Sequence, residues 1–309
     1  MKHSKPRRFL EFSWLSLLVI FVSSCSGVPL LDPKGPVGNE EKFLILISLG
    51  LMLIVVIPVL VLTVWFSVRY RASNTKATFK PNWEGSPRIE AVVWLIPFAI
   101  VAILSYLVIK ETGELDPYRP IASGNPALKV EVVSLDWNWL FIYPEYDIAT
   151  VNKLVVPVGV PLSFDLTSAS VMTSFFIPQL GSQMYAMAGM VTHLNLLASE
   201  TGTYRGQNQE FSGDGYVTMH FPVVVEGKEA FDAWVRDAKA ANNPLDAPRY
   251  AALSSPQIDY PATSFSTVEP GLFDHLVGQF RAWVGDKNIP VGKGMGAEPA
   301  MGAEPATIP

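Results

Sequence analysis

Residues 202–219 read Gly-Thr-Tyr-Arg-Gly-Gln-Asn-Gln-Glu-Phe-Ser-Gly-Asp-Gly-Tyr-Val-Thr-Met, and this is the most informative stretch of the chain. Within it, Asn208, Ser212 and Tyr216 precede Met219 at short, regular spacings. A dinuclear copper centre that carries single electrons needs bridging thiolates, imidazoles, and weaker thioether and carbonyl donors. Met219 is a thioether donor, but the other three side chains are neutral amide, hydroxyl and phenol groups. Of these four side chains, only Met219 therefore belongs to the donor types that such a centre uses.

The loop resembles the copper loop of subunit II of cytochrome c oxidases, which runs Gly-x-Tyr-x-Gly-Gln-Cys-x-Glu-Phe-Cys-Gly-x-x-His-x-x-Met. Asn208 and Ser212 stand where that loop has its cysteines, and Tyr216 stands where it has its histidine. The family's other histidine lies in an upstream strand reading His-Ser-Phe-x-x-Pro. Here residues 173–178 read Thr-Ser-Phe-Phe-Ile-Pro, with Thr173 at that position. Of these side-chain ligands only the final methionine remains, which implies that the chain has no dinuclear copper centre.

A copper loop without its ligands is similar to subunit II of the cytochrome bo-type ubiquinol oxidases, and the resemblance covers about residues 25–285. It implies a subunit of a proton-pumping respiratory oxidase that oxidises ubiquinol and reduces O2 to water. The haems, the mononuclear copper and the quinol site would lie in subunit I, with subunits III and IV as further partners. This chain would then be a non-redox subunit that supports subunit I, has no cofactor of its own and is not catalytic alone.

Composition favours a membrane-associated protein. Of the 309 residues 49% are hydrophobic and 17% are charged, against about 25% charged in typical soluble domains. The net charge of −5 and the lack of a basic stripe argue against nucleic acid as a partner. A single cysteine excludes an internal disulfide framework and a Cys-rich zinc site.

The N-terminus has the pattern of a bacterial lipoprotein signal. A basic start precedes the apolar run 12–22, which ends in Val22-Ser23-Ser24-Cys25. This pattern predicts a signal peptide over residues 1–24, with Cys25 lipidated and residues 25–42 forming a periplasmic segment. The alternative is that Cys25 is a small buried hydrophobic residue.

Two uncharged runs, 43–68 and 91–109, are long enough to be transmembrane helices. A buried core helix is the alternative for the shorter run. Cationic residues outnumber acidic ones in the connection 69–90, so the positive-inside rule places that loop in the cytoplasm. We expect an inner-membrane protein in contact with lipid, whose N-terminus and C-terminal domain are periplasmic. Because neither run contains Asp, Glu, Lys, Arg or His, the chain is not expected to conduct protons across the bilayer by itself.

Short β-like stretches follow, which predict an all-β sandwich or barrel over residues 127–226. The clearest stretches are Leu128–Ser134, Lys153–Thr167, His193–Ala198 and Tyr216–Val225. The family resemblance makes this a cupredoxin-like Greek-key domain without copper. Amphipathic helices are predicted within residues 227–285, as an arm that the resemblance lays against subunit I, and 286–309 is a low-complexity tail expected to be disordered.

Three further groups of residues have two interpretations each. Trp137, Trp139, Phe141 and Tyr143 alternate, which places them on one strand face that packs against the core or a partner. Met172, Met184, Met187 and Met190 could bind Cu(I), but gap-filling in a core is the favoured role. His193 and His220 are expected to cap strands or face solvent, since neither matches a ligand position of the motif.

Glu90 is the one residue of the chain that could take part in the oxidase chemistry. The family resemblance places it at the mouth of a proton-uptake path leading into subunit I. The alternative is that an acid in the first turn of a helix interacts favourably with the helix dipole. Two other functions stay open: a copper-bearing cytochrome c oxidase subunit II, and a free-standing membrane lipoprotein that binds a solute or copper.

Overall fold

The computed structural model describes residues 28–78 and 82–284, with side chains described up to residue 280. Three predicted features lie outside the described residues: the signal peptide 1–24, the predicted lipidation site Cys25 and the tail 286–309.

Two long helices come first, α1 (Pro36–Arg69) and α2 (Pro87–Glu114). Each starts with proline in its first turn, where the missing N–H costs no hydrogen bond. Both helices are long and apolar enough to cross a membrane, and α1 extends roughly 50 Å at 1.5 Å per residue. The predicted spans 43–68 and 91–109 fall within these two helices, whose outer faces are largely exposed apolar side chains.

The rest of the chain is a β-domain with short helices. Its first ten strands are β1 (Leu128–Ser134), β2 (Trp139–Tyr143), β3 (Ile148–Val151), β4 (Leu154–Pro157), β5 (Pro161–Ser168), β6 (Thr173–Phe176), β7 (Met184–Ala186), β8 (Thr192–Leu197), β9 (Gly202–Asn208) and β10 (His220–Glu226). The C-terminal part contains α3 (Lys228–Ala240), β11 (Pro244–Leu245), α4 (Ala247–Leu253), β12 (Thr263–Phe265), β13 (Thr267–Val268) and α5 (Leu272–Val284).

Two sheets form a sandwich. One has the strand order β12-β3-β2-β1-β5-β8 and the other β4-β10-β9-β6-β7. The pairs β1–β5 and β10–β4 are parallel, whereas the other pairs in both sheets are antiparallel, which requires crossover connections. The prediction of two apolar helices, an all-β domain and C-terminal helices is therefore confirmed. The predicted strand Tyr216–Val225 is wrong at its start, since Tyr216–Thr218 forms a 3-10 turn.

Aromatic side chains fill the space between the sheets. Trp139, Phe141 and Tyr143 on β2 are fully buried, and Phe175 and Phe221 meet them from the opposite sheet. The Trp139 and Phe175 rings meet edge to face with centroids 5.4 Å apart, a favourable arrangement for aromatic pairs. The core interpretation of this cluster is confirmed for the three residues on β2.

Trp137 does not share that strand face, so this part of the prediction is wrong. Its backbone φ is 66°, which is outside the β region, and it lies in the turn before β2. The left-handed conformation takes the indole off the strand face and turns it towards the loop after β9, which it contacts.

The C-terminal arm packs against its own domain. Buried residues of α5, including Leu272, Phe273 and Leu276, cover the outer face of β2 at Leu140 and Ile142. The apolar face of α3 joins the main core in the same way. These apolar faces are therefore covered within the chain, and the expected contact of the arm with subunit I stays a prediction.

Candidate functional site

The order of the strands brings the positions of the copper-loop motif to one end of the sandwich. These positions are Thr173, Asn208, Ser212, Tyr216 and Met219. Strands β10, β9 and β6 are neighbours, and β9 ends at Asn208 where β10 and β6 begin. In register, Phe175 of β6 is opposite Asn208 of β9. The loop residues 209–219 therefore lie over the end of these strands, beside Thr173.

Asn208 is the centre of the hydrogen bonding at this end. Its side-chain oxygen accepts from the backbone N–H of Ser174 at 2.8 Å and from that of Glu210 at 2.9 Å. Its amide nitrogen donates to the carbonyl of Glu210 at 2.7 Å and to the Ser212 hydroxyl at 3.2 Å. One buried side chain, only 5% exposed, thus ties β9, β6 and the loop together.

Met219 completes this contact set. Its sulfur lies 3.4 Å from the Asn208 amide nitrogen and 3.9 Å from the Ser212 hydroxyl oxygen, and the side chain is buried. Thioether sulfur is a weak hydrogen-bond acceptor, so these contacts are favourable without any metal. Asn208, Ser212 and Met219 therefore lie together in the structure, and Asn208 links them by hydrogen bonds.

Trp137 holds the loop from the other side, a role that the sequence analysis missed. Its indole N–H donates to the carbonyl of Ser212 at 2.8 Å. A Cβ on Gly215 would come within 2.4 Å of the Trp137 ring, so only glycine permits this approach. Gly213 also packs on the indole and has a φ of 98°, a conformation that favours glycine. In the sequence, the two closely spaced glycines Gly213 and Gly215 were the one feature that could have indicated a large side chain packed against the loop.

The two remaining ligand positions are not part of the hydrogen-bond network. The Thr173 hydroxyl is buried and has no hydrogen-bond partner among the described residues. Tyr216 packs its ring against Phe211, with centroids 5.8 Å apart.

The side chains at the five ligand positions decide whether this end of the domain could bind copper. An amide, two aliphatic hydroxyls, a phenol and a thioether supply neither a thiolate to bridge two coppers nor an imidazole. Within residues 28–78 and 82–284 no group of three or more His, Cys, Asp or Glu side chains could hold a metal ion. The residues present therefore do not fit a dinuclear copper centre, and the site is built as a structural loop.

The methionine group is more exposed than expected. Met172 is 43% exposed and Met190 is 50% exposed, so the gap-filling interpretation is wrong for these two residues. Met184 packs partly against the main core, as predicted. The exposed pair flanks β6 and β7 at the same end of the sandwich as the loop, because both residues lie in connections there.

His193 has a partner that the sequence did not reveal. Its Nδ1 lies 2.6 Å from Asp165 Oδ1, and Lys129 Nζ lies 3.0 Å from the other oxygen of the same carboxylate. Glu131 is adjacent in the sheet, and burial raises its carboxyl pKa, although Lys129 at 3.3 Å acts in the opposite direction. His220 is exposed, which confirms the prediction for that residue.

Glu90 is exposed in the first turn of α2. A Cβ added to Gly85 would meet Glu90 Oε1 at 2.5 Å, so the carboxylate is folded back over the backbone of the preceding loop. The carboxylate therefore lies at the end of α2 that joins the connection 69–90.

Two family models match the β-domain and its arm. The cytochrome c oxidase subunit II periplasmic domain matches residues 145–228, and the COX aromatic-rich motif matches residues 239–282. The two-sheet sandwich and its loop thus define a subunit II with a cupredoxin-like periplasmic domain.

Full-length relatives define the family more narrowly. The chain is 46% identical to the cytochrome bo(3) ubiquinol oxidase subunit 2 of Pseudomonas aeruginosa over 96% of this chain and 89% of that protein. It is 44% identical to the ubiquinol oxidase subunit 2 of Acetobacter aceti, over 91% of each chain. Its identity to the quinol oxidase subunit 2 of Bacillus subtilis is 37%, over 84% of this chain and 81% of that protein. The chain belongs to the ubiquinol oxidase subunit 2 family, as its loop predicts.

Proposed function

We propose that this chain is the non-redox subunit II of a proton-pumping respiratory oxidase that oxidises ubiquinol and reduces O2 to water. The observation that carries the proposal is the hydrogen-bonded Asn208, which stands at a ligand position of the copper loop and ties that loop together. A subunit II without an electron-accepting centre has no means of taking electrons from cytochrome c. The electrons of the complex would enter elsewhere, from quinol.

The redox groups belong to the partners in this proposal. Subunit I would hold the haems, the mononuclear copper and the quinol site, and subunits III and IV would complete the complex. Phe211 and Val217, on the loop, are 76% and 79% exposed. Large apolar side chains at one end of a domain are typical of protein contact surfaces, which supports a role in bracing a partner subunit.

The proposed location is the bacterial inner membrane, with α1 and α2 as spans and residues 69–90 in the cytoplasm. A thioether-linked diacylglycerol and an amide-linked palmitate on Cys25 would add a lipid anchor after removal of residues 1–24. Labelled palmitate should enter the native chain but not a Cys25→Ser variant. Labelling of both forms equally would refute this site.

Glu90 is proposed as a carboxylate at the entrance of a proton-uptake path into subunit I. Its exposed position at the end of α2 that faces the 69–90 connection is compatible with this role. The chain itself would supply only the entrance.

Oxygen uptake by the complex, purified through a tag on this chain, tests the proposed function. We expect rapid uptake with ubiquinol and none with reduced cytochrome c. Uptake with cytochrome c would instead favour a copper-bearing subunit II. A preparation without haem and without uptake would favour the free-standing lipoprotein. Copper analysis of the same preparation is the internal check, because copper in excess of the single expected ion would contradict the proposal.

A further inference from the structure

A cavity of about 340 Å³ lies where the outer ends of α1 and α2 meet the β-domain. Its walls come from the first turn of α1, the segment that follows α2, and β8. Because α1 begins and α2 ends at this place, the cavity lies at one end of the helix pair, where lipid headgroups surround a membrane protein.

The cavity walls are fixed by backbone hydrogen bonds between the helix ends and the sandwich. Gly38 N–H donates to the carbonyl of Leu180 at 3.1 Å, and Ser199 N–H donates to that of Lys34 at 2.7 Å. On the α2 side, both the backbone and the side-chain amide of Asn195 donate to the carbonyl of Pro117 at 3.0 Å. A Cβ on Gly35 would lie 2.2 Å from the carbonyl oxygen of Leu197. The backbone before α1 therefore packs against the end of β8 too closely for any residue other than glycine.

Opposite charges line the cavity without pairing with each other. The Arg119 guanidinium donates to the carbonyl of Gly113 at 3.3 Å and has no carboxylate partner among residues 28–78 and 82–284. Glu40, on α1, has no side-chain hydrogen bond or ion pair in the same described part of the chain. Glu114 is only loosely paired, 3.9 Å from Lys110 Nζ.

We propose that this cavity binds the headgroup of a zwitterionic aminophospholipid such as phosphatidylethanolamine. The phosphate would lie against Arg119, because a guanidinium makes two parallel hydrogen bonds to phosphate oxygens. The primary ammonium would donate to the carboxylates of Glu40 and Glu114. Val37 and Leu115 line the same cavity and provide an apolar surface for the glycerol end of the lipid.

The balance of charge favours a zwitterion over an anionic lipid. Three carboxylates, those of Glu40, Glu114 and Asp116, line the cavity with one guanidinium, which gives −3 + 1 = −2. A phosphatidylglycerol headgroup would be repelled by this excess and would leave Glu40 unpaired. A choline headgroup would offer no N–H donor to the carboxylates.

The test measures lipid bound to the purified oxidase complex by native mass spectrometry and by lipid extraction. Detergent-washed complex is incubated with phosphatidylethanolamine, phosphatidylcholine or phosphatidylglycerol, and quinol-driven oxygen uptake is recorded in the same samples. We expect one phosphatidylethanolamine that resists washing, and weaker retention of the other two lipids. The double variant Glu40→Gln/Arg119→Gln should lose this lipid, with affinity falling about tenfold for each charge removed.

The matched control is Glu229→Gln/Arg205→Gln, which removes the same charges from exposed positions on α3 and β9. It should retain the lipid like the native complex. Equal retention by the cavity variant and the control would overturn the proposal, as would equal retention of phosphatidylglycerol. Displacement of the lipid by free phosphoethanolamine at similar concentration would also overturn it, by showing a soluble ligand. Because oxygen uptake is measured in parallel, a failure of lipid binding is distinguishable from a failure of the proposed oxidase function.

Discussion

Replacing Asn208 by alanine tests whether this side chain holds the loop. The Ser174 N–H that it satisfies is buried, and leaving a buried donor unpaired costs about 1–3 kcal/mol. Glu210 is only half-buried, so the loss of the bond from its N–H is expected to cost about 1 kcal/mol. The variant should therefore unfold with a free energy lower by about 2–4 kcal/mol. At roughly 2–4 °C per kcal/mol for a domain of this size, its midpoint should fall by about 4–16 °C.

The assay is thermal unfolding of the full chain in detergent, followed by near-UV circular dichroism of the tryptophans. Hydrogen exchange of peptides covering 173–176 and 208–219 then shows where the loss of stability lies. Asn195→Ala is the matched control, because it deletes the same amide where a single half-buried bond to Pro117 is lost, at a cost of about 1 kcal/mol. If Asn208→Ala is no less stable than Asn195→Ala, or if exchange in the two peptides is unchanged, Asn208 does not hold the loop.

Three other changes probe separate features. Gly215→Ala should displace the Trp137 ring from the loop and shift the tryptophan fluorescence. The control Gly227→Ala should leave the fluorescence unchanged, because no atom lies within 4 Å of the new Cβ. Equal spectra for the two variants would contradict the packing of Trp137 on Gly215. Because burial raises the folded-state pKa of Glu131, its contribution to stability is present at low pH and is lost as pH rises through that pKa. Thermal unfolding of Glu131→Gln between about pH 4 and 7 should therefore show a smaller loss of stability with rising pH than the native chain, and parallel curves would disprove this. Glu90→Ala should slow oxygen reduction in the complex and Glu90→Asp should slow it less, while native turnover in Glu90→Ala would leave only the helix-dipole role.

The sequence predicts the helices and the domain order well because these depend on local patterns. The uncharged runs 43–68 and 91–109 are identified by length and composition alone, and both lie inside long helices. The bounds predicted for Leu128–Ser134 are those of β1, since apolar and polar residues partly alternate there. A helix or strand whose pattern lies within its own residues can be predicted without knowing which elements pack against it.

The contacts that build the loop could not be predicted in this way. The hydrogen bond between the Asn208 side chain and Ser174 forms because β6 and β9 are neighbours in the sheet. The spacing of residues in the sequence does not predict which strands are neighbours. The alternation at Trp137 predicted a strand residue, but its positive φ is imposed by the turn that it makes. The contact of His193 with Asp165 likewise joins two strands that are far apart in sequence. The misses at Asn208 and His193 concern contacts between elements, and the miss at Trp137 concerns the local conformation of a turn.

The side chain of Asn208 also bears on how the protein is made. A domain whose loop is closed by a metal reaches its final form only after a donor delivers that metal and after the thiol ligands have been kept reduced. Here the side-chain amide of Asn208 joins β6, β9 and the loop by hydrogen bonds, and this amide is part of the polypeptide as it is translated. Under the proposed function, maturation of this end of the domain therefore requires neither copper delivery nor a thiol reductant, and its timing is set by chain folding alone.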